Sequence, residues 1–183
     1  MEAQKPVMLA GEEVQRTISR MAHEIVEKNG GAEDLALIGI RSRGAYLVRR
    51  IARKVESLSG AVAPVGVLDV TAYRDDKERE QKPAAPPRMD VPVSVDDKTV
   101  VLVDDVINTG RTIRAALEML AAFGKPKRIL VATLVDRGER ELPIRADIVG
   151  KNVQVKDSER VNVLLQEVDG ADLVTVTKHQ QRK

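Results

Sequence analysis

Cysteine is absent from the 183 residues, which removes disulfides, zinc ribbons and thiolate catalysis in one step. The two histidines, His23 and His179, stand far apart in the chain, so a histidine-rich metal site is not expected. Tryptophan is missing too, and the aromatic set is Tyr46, Tyr73 and Phe123. Modules that bind nucleic acid by stacking bases on aromatic platforms need more than that. No apolar run approaches the roughly 20 residues that span a bilayer. The opening MEAQKPVMLAGEE lacks the basic, apolar and small-residue order of a secretory signal. The expectation is a cytoplasmic protein without membrane association. Charge of one sign is not in excess either: 30 Lys+Arg against 28 Asp+Glu leave a formal +2. Whole-chain charge therefore does not announce a nucleic-acid binder.

What is present fits a folded protein. The chain is 43% hydrophobic and 32% charged, and its length suggests a single domain over 1–183. Arginines outnumber lysines. That bias suits bidentate contacts to phosphate, and it equally suits a protein rich in ion pairs.

Periodicity organises the rest. Val14, Ile18, Met21, Ile25 and Val26 mark one face of a helix over 12–28, stopped by Asn29-Gly30-Gly31. The apolar run Leu35–Ile40 reads as a buried parallel strand, and 45–58 as a second helix. Further strands are expected at 65–70, 100–103 and 128–135, with a helix over 112–123 before Gly124 and Pro126. Short strands should follow near 146–149, 162–167 and 172–177. Strands alternating with helices imply an α/β fold with a mainly parallel sheet covered on both faces. Ligands of such sheets bind at the carboxyl ends of the strands, so the exits after Ile40, Val103 and Val135 are the places to look. The segment 74–90, RDDKEREQKPAAPPRMD, has almost nothing to bury and reads as a lid or a disordered loop.

The strongest signal is VVLVDDVINTGRT, residues 100–112. A hydrophobic strand delivers two adjacent carboxylates, Asp104 and Asp105, and Thr109-Gly110-Arg111-Thr112 then turns the chain into a helix. Gly110 allows a tight turn and close approach of backbone to a ligand. Free N–H groups at the helix start, with the Thr109 and Thr112 hydroxyls, suit a phosphate. The carboxylates suit hydroxyls or a metal ion. A phosphate and a diol at that spacing describe a ribose 5-phosphate. Each part has an ordinary structural use as well: Asp-Asp after a strand is commonly a cap or a solvated turn, and Thr-Gly-Arg-Thr alone is a weak match.

The whole string is far more specific, and it resembles the phosphoribosyl-pyrophosphate (PRPP) motif of type I phosphoribosyltransferases. The resemblance extends to His23-Glu24, Gly39–Leu47 (GIRSRGAYL), Asp69–Asp76 (DVTAYRDD), Leu134–Asp147 (LVDRGERELPIRAD) and Gly150-Lys151-Asn152. Together these look like the bacterial family of bifunctional pyrimidine operon attenuation regulators and uracil phosphoribosyltransferases. RELPIRAD is the most diagnostic string. Three departures stand out: Ser19 where relatives often have Thr, Asn108 where a larger side chain is common, and VQVKDSERV after Asn152 in place of the usual Pro-Thr.

The resemblance implies a type I phosphoribosyltransferase fold with a small hood and a flexible lid at about 74–90. It implies the reaction of uracil with PRPP to give UMP and pyrophosphate, with Mg²⁺ bound together with PRPP. Arg41, Ser42, Arg43 and Gly44 would be the pyrophosphate loop, which in this fold can carry a cis peptide. Asp104 and Asp105 would hold the ribose hydroxyls, directly or through Mg²⁺, and with Arg41 form the catalytic set. Val106, Ile107, Asn108, Thr109, Gly110, Arg111 and Thr112 complete the loop around the 5-phosphate. Asp136, Arg137 and Val161 would complete the uracil pocket, and Arg74 and Arg88 would flank the lid. A second function is implied: binding of pyrimidine operon leader mRNA when UMP (or UTP) is present, through Ser19, Arg20, His23, Arg140, Arg145 and Lys151, promoting transcription termination. A homodimer or larger homo-oligomer is expected. The main alternative is a salvage phosphoribosyltransferase for uracil or a purine with no RNA role. A regulator that has lost turnover and a non-catalytic scaffold are further alternatives.

Overall fold

A computed structural model describes residues 6–71, 89–90 and 94–178 of the chain. The central sheet has the strand order β4-β3-β2-β5-β6-β7, built from Met89–Asp90, Val65–Leu68, Leu35–Ile40, Thr99–Ile107, Arg128–Asp136 and Ile148–Asn152. All neighbouring pairs are parallel except β3 with β4. Three further strands, β1 (Val7–Leu9), β9 (Leu173–Lys178) and β8 (Glu159–Leu164), form a separate antiparallel sheet, the hood.

The period of two along the buried strands divides the core into two layers. Leu35 and Leu37 of β2, with Val101 and Val103 of β5, face helices α1 (Gly11–Asn29) and α2 (Gly44–Ser59). Ile38 and Ile40, with Val100 and Leu102, face α3 (Arg111–Phe123) through Ile113, Met119 and Leu120. The helical stripes are those expected from the sequence. Val14, Ile18, Met21 and Ile25 of α1 are all essentially inaccessible to solvent. Among the described residues no helix is long and apolar enough to cross a membrane.

The chain winds outward in both directions from the β2/β5 pair: β2 leads through α2 to β3 on one side, and β5 leads through α3 to β6 on the other. At such a switch point the two exit loops diverge and leave a crevice at the carboxyl edge. The loops that leave β2 and β5 are 41–44 and 108–110.

Several boundaries differ from the sequence expectation. β5 continues past Val103 to Ile107, because Asp104, Val106 and Ile107 pair with Thr133, Val135 and Asp136 of β6. The two carboxylates thus sit within the strand rather than just past its end. β3 ends at Leu68 and β7 runs from Ile148 to Asn152. β1 and the four-residue α4 (Gln166–Asp169) had no separate sequence signal. Most of the expected lid, with Arg74 and Arg88, lies outside the described residues. Its last two positions, Met89 and Asp90, pair with Leu68 and Val67 as a short strand.

Candidate functional site

Three strand exits bring the expected substrate residues to one edge of the sheet. The 41–44 loop leaves β2, and its Arg41–Ser42 peptide is cis. It sits directly against β5: a Cβ on Gly44 would lie 2.5 Å from the Val103 carbonyl oxygen and 3.5 Å from the Asp104 Cα. Only glycine fits there, so the loop and the first carboxylate are held in contact by backbone packing. Arg41 and Ser42 are exposed. The Arg41 guanidinium lies 3.4 Å from Asp69 Oδ2. Burial pushes the Asp69 carboxyl up, but hydrogen bonds from Thr71 and the charge of Arg41 outweigh it and hold Asp69 below the usual carboxylate range. Arg43 reaches the hood instead, donating to both oxygens of Asp169 at 3.0 and 3.2 Å.

On β5, Asp104 is buried and its Oδ1 accepts the Asp105 amide at 2.9 Å, while Asp105 is partly exposed. Gly110 then turns the chain with φ +94°, a left-handed conformation that side chains rarely adopt, and α3 starts at Arg111. The Thr109 hydroxyl accepts the Arg111 amide at 3.4 Å. The amides of the first turn of α3 are unpartnered by the helix itself and carry its positive dipole end. Phosphate is the natural occupant of such a place.

The third exit, after β6, folds back over the second. The Arg137 amide donates to the Ile107 carbonyl at 3.0 Å, and the Glu141 and Leu142 amides both donate to the Thr109 carbonyl, at 3.0 and 3.2 Å. Arg111 donates to Glu141 Oε2 at 2.7 Å. Arg137 pairs with Glu139 at 2.6 Å with its side chain only 12% exposed. The Nε atoms of Arg43 and Arg137 are buried and have no partner among the described residues. Val161 lies in β8, opposite Val176 of β9, with its side chain buried in the core layer that the hood shares with α1 and α2.

No group of three or more potential metal ligands occurs among the described residues, so a cation at this edge would rest on the carboxylate pair. Magnesium typically takes one or two protein carboxylates and completes its shell with water and substrate phosphates. Asp104 and Asp105 fit that donor set.

The residues expected to face RNA fall into two groups. Ser19, Arg20 and His23 lie on α1, and Arg20 donates to the Val149 and Gly150 carbonyls of β7 at 3.0 and 2.5 Å. That bond places the first group next to Lys151. His23 is exposed, with Nδ1 2.8 Å from the Ser19 carbonyl. Arg145 is exposed and Arg140 is not. Arg140 directs its guanidinium inward, to the carbonyls of Ile144 (2.7 Å), Asn108 (2.7 Å) and Gly138 (3.1 Å), and to Asp136 Oδ2 (2.6 Å). Sequence reasoning had no access to this, because three of the four acceptors are backbone carbonyls. It also missed Asp169 and Glu141, the partners of Arg43 and Arg111.

A phosphoribosyl transferase domain model matches residues 8–166. Among curated proteins, a "Bifunctional protein PyrR" of Chloroflexus aurantiacus is 52% identical over 93% of this chain and 94% of its own length. Proteins of the same name from Deinococcus radiodurans and from a Roseiflexus species are 49% and 53% identical, covering 95% and 89% of both partners. Among solved structures, a hypoxanthine phosphoribosyltransferase of Trypanosoma cruzi superposes with a TM-score of 0.72 at 18% identity, over 96% of this chain and 97% of that one. A hypoxanthine phosphoribosyltransferase of Staphylococcus aureus gives 0.71 at 20% identity, over 95% and 91%. At that identity the structural likeness speaks for the fold alone.

Proposed function

The chain belongs to the PyrR family of bifunctional phosphoribosyltransferases, and from that premise we propose how its residues divide the work. It is a pyrimidine-operon attenuation regulator with uracil phosphoribosyltransferase activity. In the reaction the uracil N1–ribose C1 bond forms, the bond from C1 to the pyrophosphate oxygen breaks, and the N1 proton is released. The transition state carries positive charge on the ribose and negative charge on the leaving group, so the protein's contribution is orientation and electrostatics.

Arg41, Ser42, Arg43 and Gly44 take the leaving pyrophosphate. The first turn of α3, with Asn108, Thr109, Gly110, Arg111 and Thr112, takes the 5-phosphate. Asp104 and Asp105 receive the ribose hydroxyls, flanked by Val106 and Ile107. Asp136 and Arg137, with the hood strand bearing Val161, border the uracil. Mg²⁺, when bound with PRPP through Asp104 and Asp105, would neutralise charge on the pyrophosphate. The observation that carries this division is the convergence of the β2, β5 and β6 exits at the switch point, with Gly44 packed on β5.

For the second function, leader mRNA is bound in the cytoplasm in a UMP-dependent manner by the exposed Arg20 and His23 and the half-buried Ser19 and Lys151 near α1 and β7, together with the exposed Arg145. The test pairs two assays on one preparation: UMP formation from uracil and PRPP, and binding of a pyrimidine-leader hairpin with and without UMP at two salt concentrations. An interface dominated by phosphate contacts weakens steeply with salt. Absence of UMP formation refutes the enzymatic assignment, and RNA binding indifferent to both UMP and salt refutes the regulatory one.

A further inference from the structure

Segment 137–144, which runs out of β6, is clamped onto 107–111, which runs out of β5, through main-chain hydrogen bonds and the Arg111–Glu141 ion pair. The Ile107 carbonyl accepts the Arg137 amide, and the Thr109 carbonyl accepts two more amides, from Glu141 and Leu142. Apolar contact reinforces this, since the Gly110 Cα faces Leu142 and Ile144 so closely that an added Cβ would lie 3.5 and 3.4 Å from theirs. Arg140 locks the assembly. Four of its five N–H donors reach the Asn108 carbonyl in the phosphate loop, the Gly138 and Ile144 carbonyls on either side of the arginine, and the Asp136 carboxylate at the end of β6. Its side chain is 19% exposed. One guanidinium therefore ties the proposed 5-phosphate loop, the proposed base-binding Asp136 and the segment that carries Arg145 into one unit.

We propose that Arg140 is a positioning residue, the strut through which nucleotide bound at 109–112 sets the placement of 141–145, and that it acts on RNA through this linkage and not by touching it. This rests on the reading above and supplies the route by which one site informs the other. Occupation of the phosphate loop fixes the Asn108 and Thr109 carbonyls. Those carbonyls hold Arg140, Glu141 and Leu142, and Arg145 lies just beyond. The coupling is reciprocal: whatever factor UMP adds to RNA affinity, RNA must add to UMP affinity.

Arg140→Lys separates the two roles, because lysine keeps the charge but cannot reproduce a planar fork directed at several acceptors. A direct phosphate contact would survive that change in large part. A strut would not. For Arg140→Lys and Arg140→Gln alike, the KM for PRPP should rise at least about fivefold, and the stimulation of RNA binding by UMP should collapse to under about twofold, below the usual range of allosteric coupling. Wild-type KM and wild-type UMP stimulation in Arg140→Lys, with RNA affinity lost only in Arg140→Gln, would overturn the proposal and make Arg140 an RNA contact. Should both variants fail to fold, hydrogen exchange on the wild-type protein decides: UMP should slow exchange at the Glu141 and Leu142 amides, and unchanged rates there refute the strut. A wild-type protein that binds UMP but no RNA would refute the regulatory reading while leaving the KM and exchange results to judge the strut. Failure to bind UMP at all would refute both.

Discussion

Two arginine-bearing loops flank the crevice, and they are held in opposite ways. In 41–44 the guanidiniums rest on carboxylates: Arg41 on Asp69, and Arg43 on Asp169 of the hood. In 137–144 the central guanidinium, Arg140, rests mainly on backbone carbonyls, two of its own segment and one of the loop beneath it. Carboxylate-bound arginines can exchange one anion for another, so Arg41 and Arg43 are suited to release their partners to an incoming pyrophosphate. A carbonyl-bound fork has nothing equivalent to exchange, because removing it leaves partly buried carbonyls without their partner, at a cost of up to about 1–3 kcal/mol each. On the proposed division of the site, the first loop would receive substrate charge, while the second holds a shape.

The largest effect should come from the strand between them. Asp104→Asn with Asp105→Asn removes both negative charges, while a side-chain amide oxygen at position 104 can still accept the backbone N–H of residue 105, as Asp104 Oδ1 does now. The fold should survive, as checked by its melting temperature. UMP formation should fall at least about 1000-fold, the scale of losing preorganised electrostatic stabilisation. Near-normal turnover would mean that the carboxylates hold only structure, and the contrast between the loops would lose its centre.

Next in size is Arg145→Gln. Arg145 is exposed, and no hydrogen bond or ion pair ties it to another described residue, unlike Arg140. Removing one charge-assisted phosphate contact should lower RNA affinity about tenfold. It should also flatten the slope of log affinity against log salt by about one unit. An unchanged slope would put Arg145 outside the interface.

This pair of arginines marks where the sequence stops being legible. Both lie in RELPIRAD, and nothing in the string says that one turns inward and the other outward. The difference arises from carbonyls at 108, 138 and 144, which every residue type possesses. The sheet, by contrast, was readable, because Leu35–Ile40 and Val100–Val103 are apolar on both faces and the stripes of α1 and α2 recur at helical spacing. The switch point followed from strand order, which the sequence implied only through family resemblance. Asp104 and Asp105 were recognised but placed just past the strand's end, since two acidic residues after four apolar ones look like a strand exit; pairing with β6 carries the strand on to Ile107. The small hood strand β1 could not be read from three residues that pair with the distant β9.

A smaller effect tests the exchangeable loop. Asp169 accepts Arg43 and also caps its own turn by accepting the Leu165 amide at 2.8 Å. Asp169→Asn keeps an acceptor for that amide but removes the charge that parks Arg43. The KM for PRPP should change by about two- to fivefold, the modest effect expected of a surface ion pair, with the KM for uracil unmoved. Equal shifts in both constants would show general loosening of the hood instead of an effect on the pyrophosphate loop.

The smallest effect is the response to acid, and it separates the two kinds of attachment by chemistry alone. The hood is fastened to α2 by Arg43 on Asp169 and by Arg50 on Glu167 and Asp172, the latter carboxylate also receiving Gln15 at 2.7 Å and the Gln166 amide at 2.8 Å. All three carboxyls lie below their ordinary range. For Asp169 the Leu165 amide is the main cause and Arg43 the next; for Glu167 it is the hydrogen bond from Arg50. For Asp172, burial pushes up, and Arg50 with Gln166 and Gln15 pulls down further. A carboxyl depressed in the folded state stabilises it fully above the ordinary carboxylate pKa of about 4, and that contribution disappears as pH falls through the depressed values. The melting temperature should therefore be flat, so far as these groups decide it, from pH 8 to about 5, and should drop by a few degrees below about 4. Hydrogen exchange in β8 and β9 should rise over that acid window before exchange at Glu141 and Leu142 does, because the Thr109 carbonyl that holds those two amides does not titrate. Exchange rising first at Glu141 and Leu142 would reverse the comparison and make the carbonyl-bound loop the weaker attachment.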